Sequence, residues 1–134
     1  MTLSKLTPNL MADDVARTIR FYKSILNFEV LMSLPVESDE PFWALLKSGN
    51  VEIMLQSKKA IIDEYPCMNN TSPGGTLTLY INTDNAKALF GRIDKKVKIV
   101  KPLHRTCYGT EEFSIMDCNN YILTFSQDMT LIRF

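Results

Sequence analysis

His104, the only histidine, and Cys107 three residues later are the side chains of this chain best suited to nucleophilic chemistry. A cysteine or serine nucleophile needs a general base within hydrogen-bond reach, so Cys107 would have to lie against the imidazole of His104. Residues 102–105 are predicted to form an extended connection, in which successive side chains point in different directions. Sequence proximity therefore does not establish a Cys-His dyad, and His104 is interpreted as a surface or hydrogen-bonded loop residue.

Cysteine and glycine spacing gives no metal or phosphate motif. Cys67, Cys107 and Cys118 have neither CxxC spacing nor histidine partners. We therefore expect reduced thiols rather than a disulfide framework or a zinc site. The five glycines match neither GxGxxG nor GxxxxGK, the patterns whose backbone cradles phosphates, so nucleotide binding has no support.

Charge and hydropathy exclude two further classes of protein. Fifteen basic and fifteen acidic side chains cancel, and neither sign forms a stripe of the kind that nucleic-acid binders carry. The first residues lack the apolar run of a signal peptide, and no segment approaches the ~20 apolar residues that cross a bilayer. The sequence thus predicts a cytoplasmic protein that contacts neither nucleic acid nor membrane.

The elements that must position any site follow one order twice. The first module, about residues 5–57, is predicted as strand 5–11, a helix from Asp13 and Asp14 to about Leu26, and strands 28–34, 42–47 and 51–57. Residues 58–74 form a joint with a short helix near 59–65. The second module, about residues 75–127, repeats the order as strand 76–82, helix 83–95, and strands 97–102, 111–117 and 121–127.

This pattern predicts a single α+β domain of residues 1–134 in which two tandem βαβββ modules pair. One four-stranded sheet cannot bury both its helix-covered face and its open face alone. We therefore expect the modules to form a curved, partly open barrel with a central cavity, the kind of concave site that ligands favour.

Two segments carry a resemblance to a known family. The first is NLMADDV at 9–15, followed by TIRFYK at 18–23 and LNFEV at 26–30; the second runs from YGTEEF at 108–113 to DCNNY at 117–121. With the repeat, they make the chain similar to the vicinal oxygen chelate superfamily, which includes glyoxalase I, extradiol dioxygenases, and fosfomycin- and bleomycin-resistance proteins. It is most similar to the bleomycin-resistance-like members.

The resemblance implies four inward positions at which metal-dependent members carry His, Gln or Glu. Alignment by the flanking motifs places Thr7, Met54, Thr78 and Thr124 there. Hydroxyls and a thioether are poor ligands for a divalent ion, so we expect no metal cofactor. If the alignment slips, Glu52, Gln56 or His104 would be the alternatives.

Without a metal, the resemblance favours a protein that binds a small aromatic or amphipathic molecule and sequesters it. The candidate ligand-binding residues are Thr7, Asn9, Phe42, Trp43, Met54, Thr78, Tyr80, Tyr108 and Thr124, with Trp43 as the main aromatic platform. Two alternatives stay open: a metal-dependent lyase or dioxygenase with atypical ligands, and a purely structural dimerisation module. We expect a homodimer, because relatives pair modules within or between chains and the apolar residues 129–134 favour a docked end.

Overall fold

The computed structural model describes residues 1–130, in two compact units that meet in sequence between Pro73 and Gly74. Unit 1 contains β1 (Asn9–Ala12), α1 (Val15–Leu26), β2 (Glu29–Leu34), β3 (Trp43–Ser48), β4 (Val51–Ser57), α2 (Lys58–Glu64) and a 3₁₀ turn (Pro66–Met68). Unit 2 contains β5 (Thr78–Asn82), α3 (Ala86–Ile93), β6 (Lys98–Arg105), β7 (Thr110–Met116) and β8 (Ile122–Asp128).

The sheet of unit 1 has the strand order β1-β4-β3-β2, with β1 parallel to β4 and the other neighbours antiparallel. Helix α1 begins where the Asp14 side chain accepts a hydrogen bond from Arg17 N at 3.0 Å. It ends at Asn27, whose φ of 57° is the left-handed cap conformation. Both predicted ends of this helix are confirmed.

One face of α1 closes the core of unit 1. Its buried side chains, Val15, Thr18, Tyr22 and Leu26, recur every three or four residues. The helix packs on β3 and β4, where alternate side chains are buried (Ala44, Leu46, Ile53 and Leu55). The side chains that alternate with these core residues point to the opposite face of the sheet, which α1 does not cover.

Unit 2 repeats the topology with the order β5-β8-β7-β6, again with the first strand parallel to the last. Asn85 caps α3 by accepting from Ala88 N at 3.0 Å. The core contains Phe113, whose ring centroid lies 5.2 Å from those of both Phe90 on α3 and Phe125 on β8. Residues 113, 115, 123 and 125 therefore occupy the helix-covered face.

Two predicted strands differ from the structure. β1 begins at Asn9 rather than at residue 5, so Thr7 precedes the strand. β6 continues to Arg105 instead of ending at 102. It is an edge strand, and two shifts of register accommodate Pro102, which an edge tolerates because it needs no ladder donor there. His104 thus lies in a strand, and its predicted place in a connection was wrong.

The fold class is confirmed as α+β with two tandem βαβββ modules. Within residues 1–130 the strands form two separate four-stranded sheets that do not close into a barrel. No helix in this described part is long and apolar enough to span a membrane. The predicted docking of residues 129–134 falls largely on 131–134, which lie outside the described residues.

Candidate functional site

The open face of the unit 2 sheet is polar because strand periodicity puts its polar residues opposite the core. On β7, Phe113 and Ile115 are buried on the helix-covered face, so Glu112 and Ser114 point the other way. The sheet register pairs Glu112 with Ser126 and Ser114 with Thr124. Directly paired residues share a face, and this brings distant parts of the sequence together.

Glu112 is the centre of a hydrogen-bond network on this face, although only 5% of its surface is exposed. Its Oε2 accepts from Thr110 Oγ1 at 2.8 Å and from Ser126 Oγ at 2.9 Å. Tyr80 OH donates to the same oxygen. Tyr108 OH lies 3.3 Å from both carboxylate oxygens. One buried carboxylate thus holds four hydroxyl side chains.

The network stabilises the ionised form of Glu112. Burial of the carboxyl opposes ionisation, but the hydrogen bonds from Tyr80, Thr110, Ser126 and Tyr108 together outweigh it and hold the pKa of Glu112 below its ordinary value. The hydrogen bond from Tyr80 to Glu112 raises the pKa of Tyr80, despite an opposing contribution from Ser126. At neutral pH, Glu112 is therefore a carboxylate and Tyr80 a neutral donor.

A tight turn places Tyr108 beside the network. Thr106 N donates to Thr110 O at 2.9 Å and closes the β6–β7 connection. Gly109 has φ +88°, and its carbonyl accepts from Met129 N at 2.8 Å, which ties the turn to the end of β8. The Tyr108 side chain is exposed as a result, with 63% of its surface accessible.

These side chains surround an open pocket of about 360 Å³ in unit 2. Its lining consists of Tyr80, Asn82, Thr83, Tyr108, Thr110, Ser126, Asp128 and Thr130. Tyr80 is 56% exposed, so both tyrosine rings are available to a ligand. Glu112 lies behind them and orients their hydroxyls.

The arrangement suits binding better than proton transfer. A general base is most effective when its pKa lies near the working pH, whereas the pKa of Glu112 is lowered away from neutrality. Tyr80 keeps its proton, because its pKa is raised. Fixed hydroxyls and exposed rings are the groups that anchor a small molecule.

His104 is the register partner of Glu112 on β6, which sequence reasoning did not anticipate. Its Nδ1 lies 2.8 Å from the carbonyl oxygen of Pro102, so this nitrogen is occupied within its own strand. Cys107 is a free, exposed thiol in the turn after β6. Cys67, Cys107 and Cys118 form no disulfide within residues 1–130.

The open face of unit 1 carries its own polar contacts. Asn9 Nδ2 donates to Gln56 Oε1 at 2.7 Å, and Gln56 Nε2 donates to Glu64 Oε1 at 3.0 Å. Gln56 is the register partner of the half-buried Trp43. Glu52 lies 2.7 Å from Lys5 Nζ, and the hydrogen bond from Lys5 lowers the pKa of Glu52. Gln56 and Glu52 are thus engaged by neighbouring side chains.

The nine residues predicted to bind a ligand divide between the units. Unit 1 contains Thr7, Asn9, Phe42, Trp43 and Met54, and unit 2 contains Thr78, Tyr80, Tyr108 and Thr124. Of the second group, Tyr80 and Tyr108 line the pocket. Thr124 is instead 2.7 Å from the Ser114 hydroxyl, and Thr78 is exposed at the start of β5. Their roles as ligand contacts stay predictions.

Sequence reasoning missed Glu112, Thr110 and Ser126, the partners that hold the two tyrosines. The available signal was alternation within YGTEEFSI, since core positions at Phe113 and Ile115 require residues 110, 112 and 114 to share the opposite face. Glu112 was interpreted only as part of a family motif.

The metal positions implied by the family do not fit a divalent ion. Thr7, Met54, Thr78 and Thr124 offer three neutral hydroxyls and a thioether, whereas such ions need carboxylate, imidazole or thiolate to offset dehydration. Separately, residues 1–130 contain no group of three or more His, Cys, Asp or Glu side chains arranged to hold a metal. The donor chemistry is what argues against a metal at these positions.

Comparisons with known proteins identify relatives of this fold. The family model for the glyoxalase/bleomycin resistance protein/dioxygenase superfamily matches residues 5–125. A glyoxalase/bleomycin resistance protein/dioxygenase from Nocardioides is 11% identical, with a TM-score of 0.77 over 99% of this chain and 89% of that one. The bleomycin-binding protein of Streptomyces verticillus, solved with copper(II)-bleomycin, is 18% identical, with a TM-score of 0.64 over 93% and 96% of the two chains. No curated protein sequence matches significantly.

Proposed function

Because this chain belongs to the glyoxalase/bleomycin resistance protein/dioxygenase superfamily, we propose that it binds a small aromatic or amphipathic molecule without metal chemistry. The observation that carries this proposal is the pair of exposed tyrosines, Tyr80 and Tyr108, held by the buried carboxylate of Glu112 at an open pocket. The superfamily includes binding proteins as well as enzymes, and the proposal assigns this chain to the former.

The pocket supplies both parts of a small-molecule site. A volume of about 360 Å³ falls within the range of ligand pockets, roughly 300–1,000 Å³. The rings of Tyr80 and Tyr108 offer apolar surface, and an aromatic ligand stacked on one gains about 0.5–1.5 kcal/mol beyond simple burial. Because hydrogen bonds hold the hydroxyls before a ligand arrives, less ordering entropy is lost on binding.

An open, polar pocket also favours binding over a purely structural role. A module whose open face served only for packing would be expected to carry apolar side chains there. Unit 2 instead carries Tyr80, Asn82, Thr110 and Ser126 on that face. The unit 1 candidates Asn9, Phe42, Trp43, Met54 and Thr7 stay proposed ligand contacts of their own unit.

The bleomycin-binding protein of Streptomyces verticillus supports a small-molecule role but does not identify the ligand here. Bleomycin is a large cationic molecule, whereas this chain has no net charge to steer it by long-range attraction. We therefore propose a smaller ligand that fits the pocket of unit 2.

Tyr108→Ala is expected to weaken binding of a small aromatic probe by at least about tenfold, because truncation of an aromatic anchor costs upwards of ~1.4 kcal/mol. The probes are 2-phenylethylamine, 2-phenylethanol and 3-phenylpropionate, titrated into ¹⁵N-labelled protein. The shifts of amide signals from residues 108–110 and 128–130 give the dissociation constants. Tyr65→Ala is the matched control, since Tyr65 is a similarly exposed tyrosine in unit 1. An unchanged dissociation constant in Tyr108→Ala would count against the proposed function. So would amide signals that do not shift with any of the three probes at millimolar concentration.

The protein is expected to purify without stoichiometric metal, with less than about 0.1 zinc, nickel, iron or manganese ion per chain, because its four family positions lack strong donors. Elemental analysis by mass spectrometry after dialysis measures this content. A melting temperature that does not move on addition of each ion provides an independent check. About one tightly held ion per chain would restore the lyase or dioxygenase alternative.

A further inference from the structure

We propose that the pocket of unit 2 selects ligands that carry a cationic hydrogen-bond donor, an ammonium or guanidinium group, attached to an aromatic or other apolar body. This inference rests on the proposed function and adds the charge of the ligand to it. Its basis is the orientation of the lining hydroxyls, the two carboxylates, and the tyrosine rings.

The hydroxyl protons around Glu112 are directed towards its carboxylate. An ionised carboxylate only accepts hydrogen bonds. The hydroxyls of Thr110, Ser126 and Tyr80 must therefore donate their protons either to Glu112 or to a hydroxyl that itself donates to Glu112. Tyr80 OH also lies 2.8 Å from Ser126 Oγ and can donate its proton to that oxygen. Ser126 Oγ in turn donates its proton to the Glu112 carboxylate. Thr106 Oγ1 lies 2.7 Å from Thr110 Oγ1 and can donate its own proton to that oxygen. The Thr110 proton then stays available to Glu112. The protons therefore point inward, and the oxygen lone pairs remain for the pocket.

Asp128, a second carboxylate, lies on the pocket lining and also accepts a hydroxyl proton. Asp128 Oδ1 accepts from Thr130 N at 2.9 Å and from Thr130 Oγ1 at 2.5 Å, and these bonds lower the pKa of Asp128. The Thr130 proton is thus also directed to a carboxylate. No lysine, arginine or histidine is among the lining residues within the described residues 1–130. The charge on the lining is therefore negative and comes from Asp128.

Glu112 keeps acceptor capacity on the side of Tyr108. Its Oε2 receives the close donors, whereas the only contact recorded for Oε1 within residues 1–130 is Tyr108 OH at 3.3 Å, near the long limit of a hydrogen bond. A carboxylate oxygen can accept two hydrogen bonds. A ligand ammonium that displaces the exposed Tyr108 hydroxyl would find an acceptor there.

The tyrosine rings complete the complement to a cation. An ammonium or guanidinium group within about 6 Å of an aromatic face is attracted by the ring quadrupole. Tyr80 and Tyr108 both line the pocket and are both exposed. An anionic ligand would be repelled by Asp128 on the lining and by Glu112 behind the tyrosines, an arrangement that rejects it.

The test compares three probes that share one phenylethyl body and differ in charge. We expect 2-phenylethylamine to bind at least about tenfold more tightly than 2-phenylethanol, and 3-phenylpropionate to bind most weakly, as measured by the amide shifts of residues 108–110 and 128–130. Asp128→Asn should reduce the ratio of the dissociation constant of 2-phenylethanol to that of 2-phenylethylamine. Glu111→Gln is the control, because Glu111 projects from the other face of β7, and it should leave the ratio unchanged.

The outcomes separate this inference from the proposed function. Binding of the alcohol or the propionate equal to or tighter than that of the amine would overturn the cation preference and leave a small-molecule site in place. An amine preference that Asp128→Asn does not alter would place the cation elsewhere and overturn the assignment to this pocket. Failure of all three probes would count against the proposed function itself.

Discussion

Replacement of Glu112 by alanine should lower the free energy of unfolding by about 3 kcal/mol, because a hydrogen bond to a charged group contributes about 1.5–3 kcal/mol and Glu112 accepts several. Without the carboxylate, the hydroxyls of Tyr80, Thr110 and Ser126 lose their common acceptor. The open pocket lets water replace part of the loss, which keeps the expected effect below the sum of the individual bonds. Urea unfolding followed by circular dichroism measures it.

Glu112→Gln distinguishes the role of charge from that of shape. Glutamine keeps the side-chain volume but brings an NH₂ donor towards hydroxyls that already donate, so we expect a loss of about 1–2 kcal/mol. The matched control is Glu111→Gln on the same strand, whose carboxylate lies 3.4 Å from the exposed Arg105. A surface ion pair contributes at most about 1 kcal/mol. Equal effects of the two Glu→Gln changes would contradict the central role of Glu112.

Acid should remove the difference between wild type and Glu112→Gln. The pKa of Glu112 is lowered in the folded protein, so its stabilisation is present above the unfolded carboxyl pKa of ~4.3 and is lost as pH falls through the folded value. The titratable side chains around Glu112 are Tyr80 on β5 and Tyr108 in the turn, which hydrogen-bond to its carboxylate, and His104, its register partner on β6. A stability gap that stays constant as the pH falls from neutrality to well below the unfolded carboxyl pKa of ~4.3 would disprove this linkage.

The fold was predictable because its signals are local. Asp14 and Asn27 bracket α1 with cap chemistry that depends on a few neighbouring residues, and the structure has both caps where the sequence predicts them. Strand alternation and turn residues likewise located six of the eight strands of residues 1–130 to within two residues at each end. The exceptions, β1 and β6, both involve a proline whose tolerance depends on its place in the sheet.

The candidate site was less predictable because it depends on sheet register. Glu112 meets Ser126 across fourteen residues and Tyr80 across thirty-two, and a shift of one residue in either pairing would put these side chains on opposite faces. From the sequence, a glutamate that alternates with apolar residues is expected on a solvated face. Its burial follows from four hydroxyl neighbours, three of them contributed by other strands or by a turn.

The position of His104 was also unpredictable, because it depends on the place of β6 in the sheet. Sequence reasoning ended the strand at Pro102 and placed His104 in the connection that follows. The edge position of β6 and its shifts of register let the strand continue, so that His104 reaches the row of Glu112. Which strand forms an edge is a property of the assembled sheet.

The turn that presents Tyr108 depends on Gly109, and Gly109→Ala should cost about 2–3 kcal/mol of stability, since a non-glycine residue held at a rare positive φ costs about 1–3 kcal/mol and steric overlap adds to it. Gly109 has φ +88°, and an added Cβ would overlap Cγ2 of Thr130. Displacement of Tyr108 should also weaken 2-phenylethylamine binding by about tenfold or more. Urea unfolding and the amide-shift titration measure the two effects.

Gly49→Ala is the control that separates backbone strain from overlap. Gly49 also has a positive φ, +58°, but an added Cβ there would meet nothing within 4 Å. We expect it to cost only about 1 kcal/mol, the strain of a left-handed alanine. Thr130→Ser removes Cγ2 yet keeps the hydroxyl that donates a hydrogen bond to Asp128. The double variant Gly109→Ala/Thr130→Ser should therefore recover about 1 kcal/mol of the stability that Gly109→Ala loses. Strictly additive effects of these two substitutions would show that Gly109 is required for its φ alone and that Thr130 does not constrain the turn.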